Sequence, residues 1–439
     1  MIIENYSITI KQNTMTQAKN NSKLIAIITM CFIFAMISFV TNMGAPFGNI
    51  WGFTYPFAKA WGNLMNFAAY LFMGIPAGKM LIKYGYKKTA LIALVVGIVG
   101  LGFQYLSSIA GAGTKVFTYD GIPVALNLII YLLGAFICGF CVCMLNTVVN
   151  PMLNLLGGGG NKGNQLIQVG GTLNSLTATL TPMLTGILVG TVTANTSMTD
   201  VAPLLFIGMA VFAISFVIIS RVSIPEPTLG KEQPKYERSP LAFRHTVLGV
   251  IAIFFYVGIE IGIPMHLQFY VTDLGFEGSA AVGGVIAGIY WILMMVGRAT
   301  SSVISGKVST KLQLTVVSSL AICLLLIAIF MPDSSTVSYD GHDIPIKAFF
   351  IAACGICTSI MWGGIFNLSV EGLGKYTEAA SGIFMTMVVG GGIMPLIQQS
   401  IASSAGNIAS YWLVIAMLAY ILFYAVIGCK NVNKDIKVD

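Results

Sequence analysis

The sequence predicts an all-α membrane protein of twelve transmembrane helices in two six-helix bundles, and three observations predict it. Hydrophobic residues make up 56% of the 439 and charged residues 9%, with mean hydropathy +0.85. A soluble core has no use for that much apolar surface. Apolar runs near the bilayer-spanning length of about 20 residues recur between short polar loops. Lys and Arg fall overwhelmingly on one side of those runs.

In chain order the spans read 24–44, 64–82, 88–109, 123–147, 164–191 and 201–222, then 244–270, 280–303, 313–331, 346–366, 380–403 and 408–428. Residues 1–23 form a polar tail with Lys11, Lys19 and Lys23, and no small-residue cleavage site follows the first run, so it is retained as a span. The first bundle covers 24–222, and 223–243 is the longest charged, Pro-containing stretch, a linker. The second bundle covers 244–430 and a short tail follows at 431–439. Two such halves are the layout of an alternating-access transporter. Gly-Lys recurs with further cations after span two (GKMLIKYGYKK) and after span eight (SGKVSTK).

Cations near helix ends resist translocation, so their side is cytoplasmic. That side holds Lys79, Lys83, Lys87, Lys88, Lys162, Arg221, Lys307, Lys311, Lys375 and Lys430 among others, leaving Lys59, Lys115 and Lys347 opposite. Both termini are therefore expected inside the cytoplasmic (inner) membrane. The net charge of +7 follows from topology and implies no nucleic-acid partner.

Glu260 is the one carboxylate placed well inside a span. An ionised side chain at a helix centre costs about 2.5–3.5 kcal/mol on insertion scales, so it should face a cavity, a partner or a proton. Either it carries a proton or binds solute, or it is a structural acid beside the Pro264 break. Asn146 and Asn150 share one face of span four, and amides there can donate and accept toward a hydroxyl. Gln168, Thr172, Ser175 and Thr179 make a polar stripe on span five with Asn174 to one side, lining a cavity or bonding between helices. Arg298 lies near the cytoplasmic end of span eight, within snorkelling reach of the interface, as a gate or anchor. Trp291 and Trp362 offer flat ring faces to a solute in a cavity, or serve as interfacial or packing residues. His266 marks the membrane edge, and Gly390, Gly391 and Gly392 before Pro395 are mechanical.

GGGGNKG at 157–163 lacks the Ser or Thr and the preceding strand of a phosphate loop and reads as a flexible turn. The eight cysteines, nearly all inside spans, read as small apolar packing rather than disulfides or metal ligands. No catalytic constellation stands in a supporting context, so the chain reads as no enzyme and calls for no cofactor.

Gly78, Lys83, Gly85, Lys87 and Lys88 match the signature between helices two and three of the major facilitator superfamily, with Ile82 where that signature has an acid. NLSVEGLGKYTEAASGIFMTMVVGGGIMP from Asn367 to Pro395 resembles the helix 10–11 connection of its L-fucose permease and glucose/galactose transporter family. NQLIQVGGTLNSL resembles that family's helix five, YVGIEIGIP its helix seven, and Gly297-Arg298 its helix eight. The resemblance implies a monomeric transporter of a hexose or deoxyhexose, with Asn146, Asn150, Gln168, Asn174, Glu260, Trp362 and Asn367 toward the sugar and Gly78, Lys83, Gly85, Lys87, Lys88 and Arg298 in gating. Proton symport in the fucose permease branch is associated with acids in helices one and four. Helix one here has Asn42 and Asn49 but no acid, and Asn146-Thr147-Val148-Val149-Asn150-Pro151 stands where the family has Glu-Thr-Ala-Ala-Asn-Pro. Glu260 is then the proton-coupling candidate, against uniport or coupling to another ion. A facilitator of a different small solute is the alternative.

Overall fold

The computed structural model describes residues 2–55, 58, 61–189, 196–226, 237–276, 279–339, 341–433, 436 and 438. α1 (Ile2–Thr54) runs through the tail and span one without a break. α2 (Trp61–Ile109) has 49 residues, about 74 Å at 1.5 Å each, enough for two spans. Gly85, at φ 79 and ψ 177, divides it into spans two and three in a conformation only glycine adopts without strain. Glu226 seals the break. Its carboxylate accepts from Tyr86 N at 2.7 Å and Lys87 N at 2.8 Å, donors that a new helix start leaves free.

An antiparallel hairpin of β1 (Lys115–Tyr119) and β2 (Ile122–Ala125) follows, turning at Asp120 (φ 50) and Gly121 (φ 74). Two left-handed residues suit the twist of paired strands. Residues 123–125, assigned to span four from the sequence, thus belong to a strand. The span begins with α3 (Leu126–Gly157) and runs to Gly157 instead of ending at 147. Gly158 caps it in the left-handed conformation, donating to the carbonyls of Asn154 and Leu155.

α4 (Gly160–Val189), α5 (Ala202–Arg221), α6 (Arg244–Thr272), α7 (Ser279–Ile304) and α8 (Thr310–Phe330) form spans five to nine within a few residues of expectation. A second hairpin, β3 (Thr336–Tyr339) and β4 (His342–Pro345), occupies the position of the first in the other half. Span ten is split into α9 (Lys347–Thr358) and α10 (Met361–Ser369). Span eleven comprises α11 (Thr377–Thr386), a 3-10 turn at Met387–Val389 and α12 (Gly390–Ala405). α13 (Tyr411–Phe423), continued by a π-helical Tyr424–Gly428, closes the count.

Ten segments among the described residues are apolar and long enough to cross a membrane, one being the double-length α2. α4 is long enough, but the polar stripe of its described part keeps it out of that set. Together these make twelve spans. Phe72, Val303 and Phe330 are exposed, as lipid-facing side chains should be. Within the first half α2 packs on α3 and α5, and α1 on α4; within the second, α6 packs on α7 and α12, and α7 on α9. The halves meet where α2 lies against α11, and α4 against α7 and α10.

Candidate functional site

The Ser359–Ile360 break between α9 and α10 presents two backbone carbonyls inside the bundle, that of Ile360 also accepting from Gly364 N at 3.0 Å. A side chain of α7 in the same half and one of α4 in the other half reach them. Arg298 Nε donates to Ser359 O at 3.2 Å, and Gln168 Nε2 donates to Ile360 O at 3.2 Å. Arg298 Nη2 also forms an ion pair with Glu260 Oε1 at 2.9 Å, the two side chains 9% and 15% exposed. Its Nη1 donates to Ser175 Oγ at 2.7 Å and lies 3.4 Å from both Gly171 O and Asn174 Oδ1. Arg298 therefore turns inward, not toward the interface, and joins α7 and α6 of one half to α4 of the other. It answers the question of what Glu260 faces: a fixed guanidinium, the planar donor best suited to a carboxylate.

The amides of α3 follow a helical stripe. Asn146 Nδ2 donates to the Tyr70 hydroxyl at 2.9 Å, and Asn150 Nδ2 to Asn146 O at 2.8 Å. Trp362 Nε1 donates across the seam to Asn150 Oδ1 at 2.9 Å, its ring 6.3 Å from that of Tyr256. One turn further, Asn154 Nδ2 donates across the seam to Asn367 Oδ1 at 2.7 Å, and Asn367 Nδ2 to Thr310 Oγ1 at 3.2 Å. Asn161 Oδ1 accepts from Thr310 N at 3.3 Å, returning to the first half. Asn174 Nδ2 donates to Phe34 O at 2.9 Å on α1. The Thr172 and Thr179 hydroxyls bond back to Gln168 O and Ser175 O of their own helix.

At the cation-rich end α2 and α11 approach through glycine. A Cβ on Gly78 would stand 2.9 Å from Gly382 Cα. Lys83 and Lys88 are exposed, and the Lys87 ammonium donates to Val222 O at 2.9 Å. Trp291 stacks edge-on to Tyr290, 5.3 Å between centroids. His266 is fully buried between helices, with Nε2 3.4 Å from Pro395 O. Asn42 bonds to Ser38 of its own helix, while the Asn49 side chain lies outside the described residues. A cavity of about 490 Å³ opens at the cation-rich end between Asn161, Thr310, Lys311, Asn367, Glu371 and Lys430.

Sequence reading overlooked Tyr70, Asn154, Glu226 and Glu378. Asn154 had a signal, four residues beyond Asn150 on the same face. Glu226 and Glu378 had none, because their partners are 140 and 292 residues away in the chain.

The family described as Major Facilitator Superfamily matches residues 25–396. A glucose/galactose transporter of Brucella abortus is 28% identical over 372 residues, 83% of this chain and 84% of that one. The L-fucose-proton symporter of Escherichia coli is 21% identical over 81% of each. Among solved structures, the major facilitator transporter FucP in the outward conformation superposes with a TM-score of 0.76 at 20% identity, covering 92% of this chain and 98% of that one.

Proposed function

The chain belongs to the major facilitator superfamily, and we propose that it moves a monosaccharide, a hexose or deoxyhexose, across the cytoplasmic membrane by alternating access. The observation that carries the substrate class is the likeness, over 83% of the chain, to a glucose/galactose transporter. The two bundles at 24–222 and 244–430 are the rocking units, joined by the cytoplasmic linker 223–243. Residues 227–236 of that linker lie outside the described residues. The protein works as a monomer in the lipid bilayer with both termini inside.

Chemistry at the seam supports this reading. Asn150, Gln168, Trp362 and Asn367 each hold a hydrogen bond between the halves. Opening at the cation-rich end breaks those bonds, and buried amides then need new partners. Sugar hydroxyls, donor and acceptor at once, supply them. Asn146 and Asn174 complete the polar lining, and Glu260 with Arg298 offers an acceptor and a donor together. If protons drive the cycle, Glu260 receives one as Arg298 shifts to Asn174 and Ser175, which it already touches.

The test is uptake of labelled monosaccharides into proteoliposomes, with and without an inward proton gradient. Accumulation above equilibrium only with the gradient means symport, and saturable equilibration indifferent to it means uniport or another ion. Flux of no sugar in the panel would instead favour the facilitator of another small solute. Gradient-driven accumulation unchanged in Glu260→Gln would remove Glu260 as the proton carrier.

A further inference from the structure

Glu378 is a second buried carboxylate, 5% exposed, in the first turn of α11 where that helix meets α2. Among the described residues its one side-chain partner is the Tyr86 hydroxyl, 3.5 Å from Oε1 and itself buried. The ionisable groups around it are exposed or make other contacts. On α2, Lys79 is exposed, Lys83 lies over the Tyr84 ring, and the Lys87 ammonium donates to Val222 O. Glu226 accepts from the backbone of Tyr86 and Lys87. Lys375 lies over the Tyr376 ring, and on α6 His245 bonds Glu371 O. Among the described residues no cation stands within ion-pair distance of Glu378, in contrast to Glu260.

The place is also one that must open. Gly78 and Gly382 let α2 and α11 touch backbone to backbone, and the Glu378 carbonyl lies 3.2 Å from where a Gly78 Cβ would be. Separating the halves at this end would put the carboxyl in water, whereas closing them buries it without a counter-charge. A buried, unpaired carboxylate is far costlier than a buried carboxylic acid. Closure thus favours the protonated group, and by linkage protonation favours closure.

We propose that Glu378 is a proton-binding site of the seam, occupied when the cation-rich end is closed and emptied to the solvent on that side when it opens. The pH on that side then sets the balance between the two states: acid holds the end shut, and rising pH releases it. This is separate from a proton carried with the substrate at Glu260.

The experiment measures the distance between spin labels at the exposed positions Lys83 and Lys311, one on each half, in the full-length protein reconstituted without sugar, from pH 5 to pH 9. The population expected is short-distance in acid and increasingly long-distance as pH rises. Glu378→Gln, a neutral side chain of the same shape, is expected to keep the short distance throughout. Tyr86→Phe removes the hydroxyl that donates to the ionised carboxyl, and moves the wild-type midpoint upward. A wild-type distribution that does not respond to pH overturns the proposal, as does an equal response in Glu378→Gln. Because no sugar is present, either result leaves the transport assignment standing or falling on the uptake assay alone.

Discussion

Arg298 and Glu260 form a 2.9 Å ion pair across α7 and α6, with side chains 9% and 15% exposed, while the same guanidinium reaches Ser175 on the other half. Removing one partner of such a pair leaves the other charge buried, a loss of about 3–5 kcal/mol. Arg298→Ala is expected to fall in that range and to lose transport. Replacing both, as in Arg298→Met with Glu260→Leu, should cost clearly less than the sum of the single changes. A double-mutant cycle by thermal unfolding in detergent checks this, and additive losses would show that the pair is not coupled.

The twelve spans were legible because each must cover a bilayer thickness with apolar residues, a constraint that marks α4 least. Its stripe from Gln168 to Ser175 was legible for the opposite reason, since polar groups at helical spacing cannot face lipid. The two hairpins were not read, although Tyr119-Asp120-Gly121 and Tyr339-Asp340-Gly341 each carry an Asp-Gly turn signal. Alternation over four or five residues is too short to outweigh the apolar run behind it. Glu260 stood out as a carboxylate in hydrocarbon, yet its partner did not, because Arg298 sits near a helix end where snorkelling is the ordinary expectation. Only the tertiary structure shows which way that side chain turns.

Gly78 and Gly382 bring backbones together where no side chain fits. Gly78→Val should therefore prevent closure at the cation-rich end and reduce flux by at least an order of magnitude, with about 1–3 kcal/mol of lost stability from the overpacked contact. Uptake measured beside thermal unfolding separates the two effects. Normal flux in a folded variant would mean that this contact is not part of the cycle.

Gly85 carries φ 79, and a Cβ there would also meet the Glu226 carboxylate. Gly85→Ala is expected to destabilise by about 1–3 kcal/mol through backbone strain. Part of the loss should be recovered on adding Glu226→Ala, which clears the space though it also uncaps Tyr86 and Lys87. A melting temperature unchanged in Gly85→Ala would show that the break between spans two and three tolerates a side chain.

Asp333, just beyond α8, is held below the usual carboxylate range by the Lys347 ammonium at 2.8 Å and by the Tyr270 hydroxyl at 3.0 Å. A carboxyl with a depressed value in the folded state contributes stability above its unfolded value, near 3.9, and loses it as pH falls through the folded one. The Asp333 side chain is 76% exposed, so screening keeps the direct contribution small, but its partner Lys347 is only 5% exposed and is left buried without it. Asp333→Asn should therefore lower the melting temperature at pH 7 and make no difference well below pH 4, where the wild type has lost the same charge. The measurement is a pair of melting curves across that range. A gap between wild type and variant that persists in acid would assign the effect to side-chain shape, and one absent at pH 7 would show that Lys347 is satisfied without Asp333.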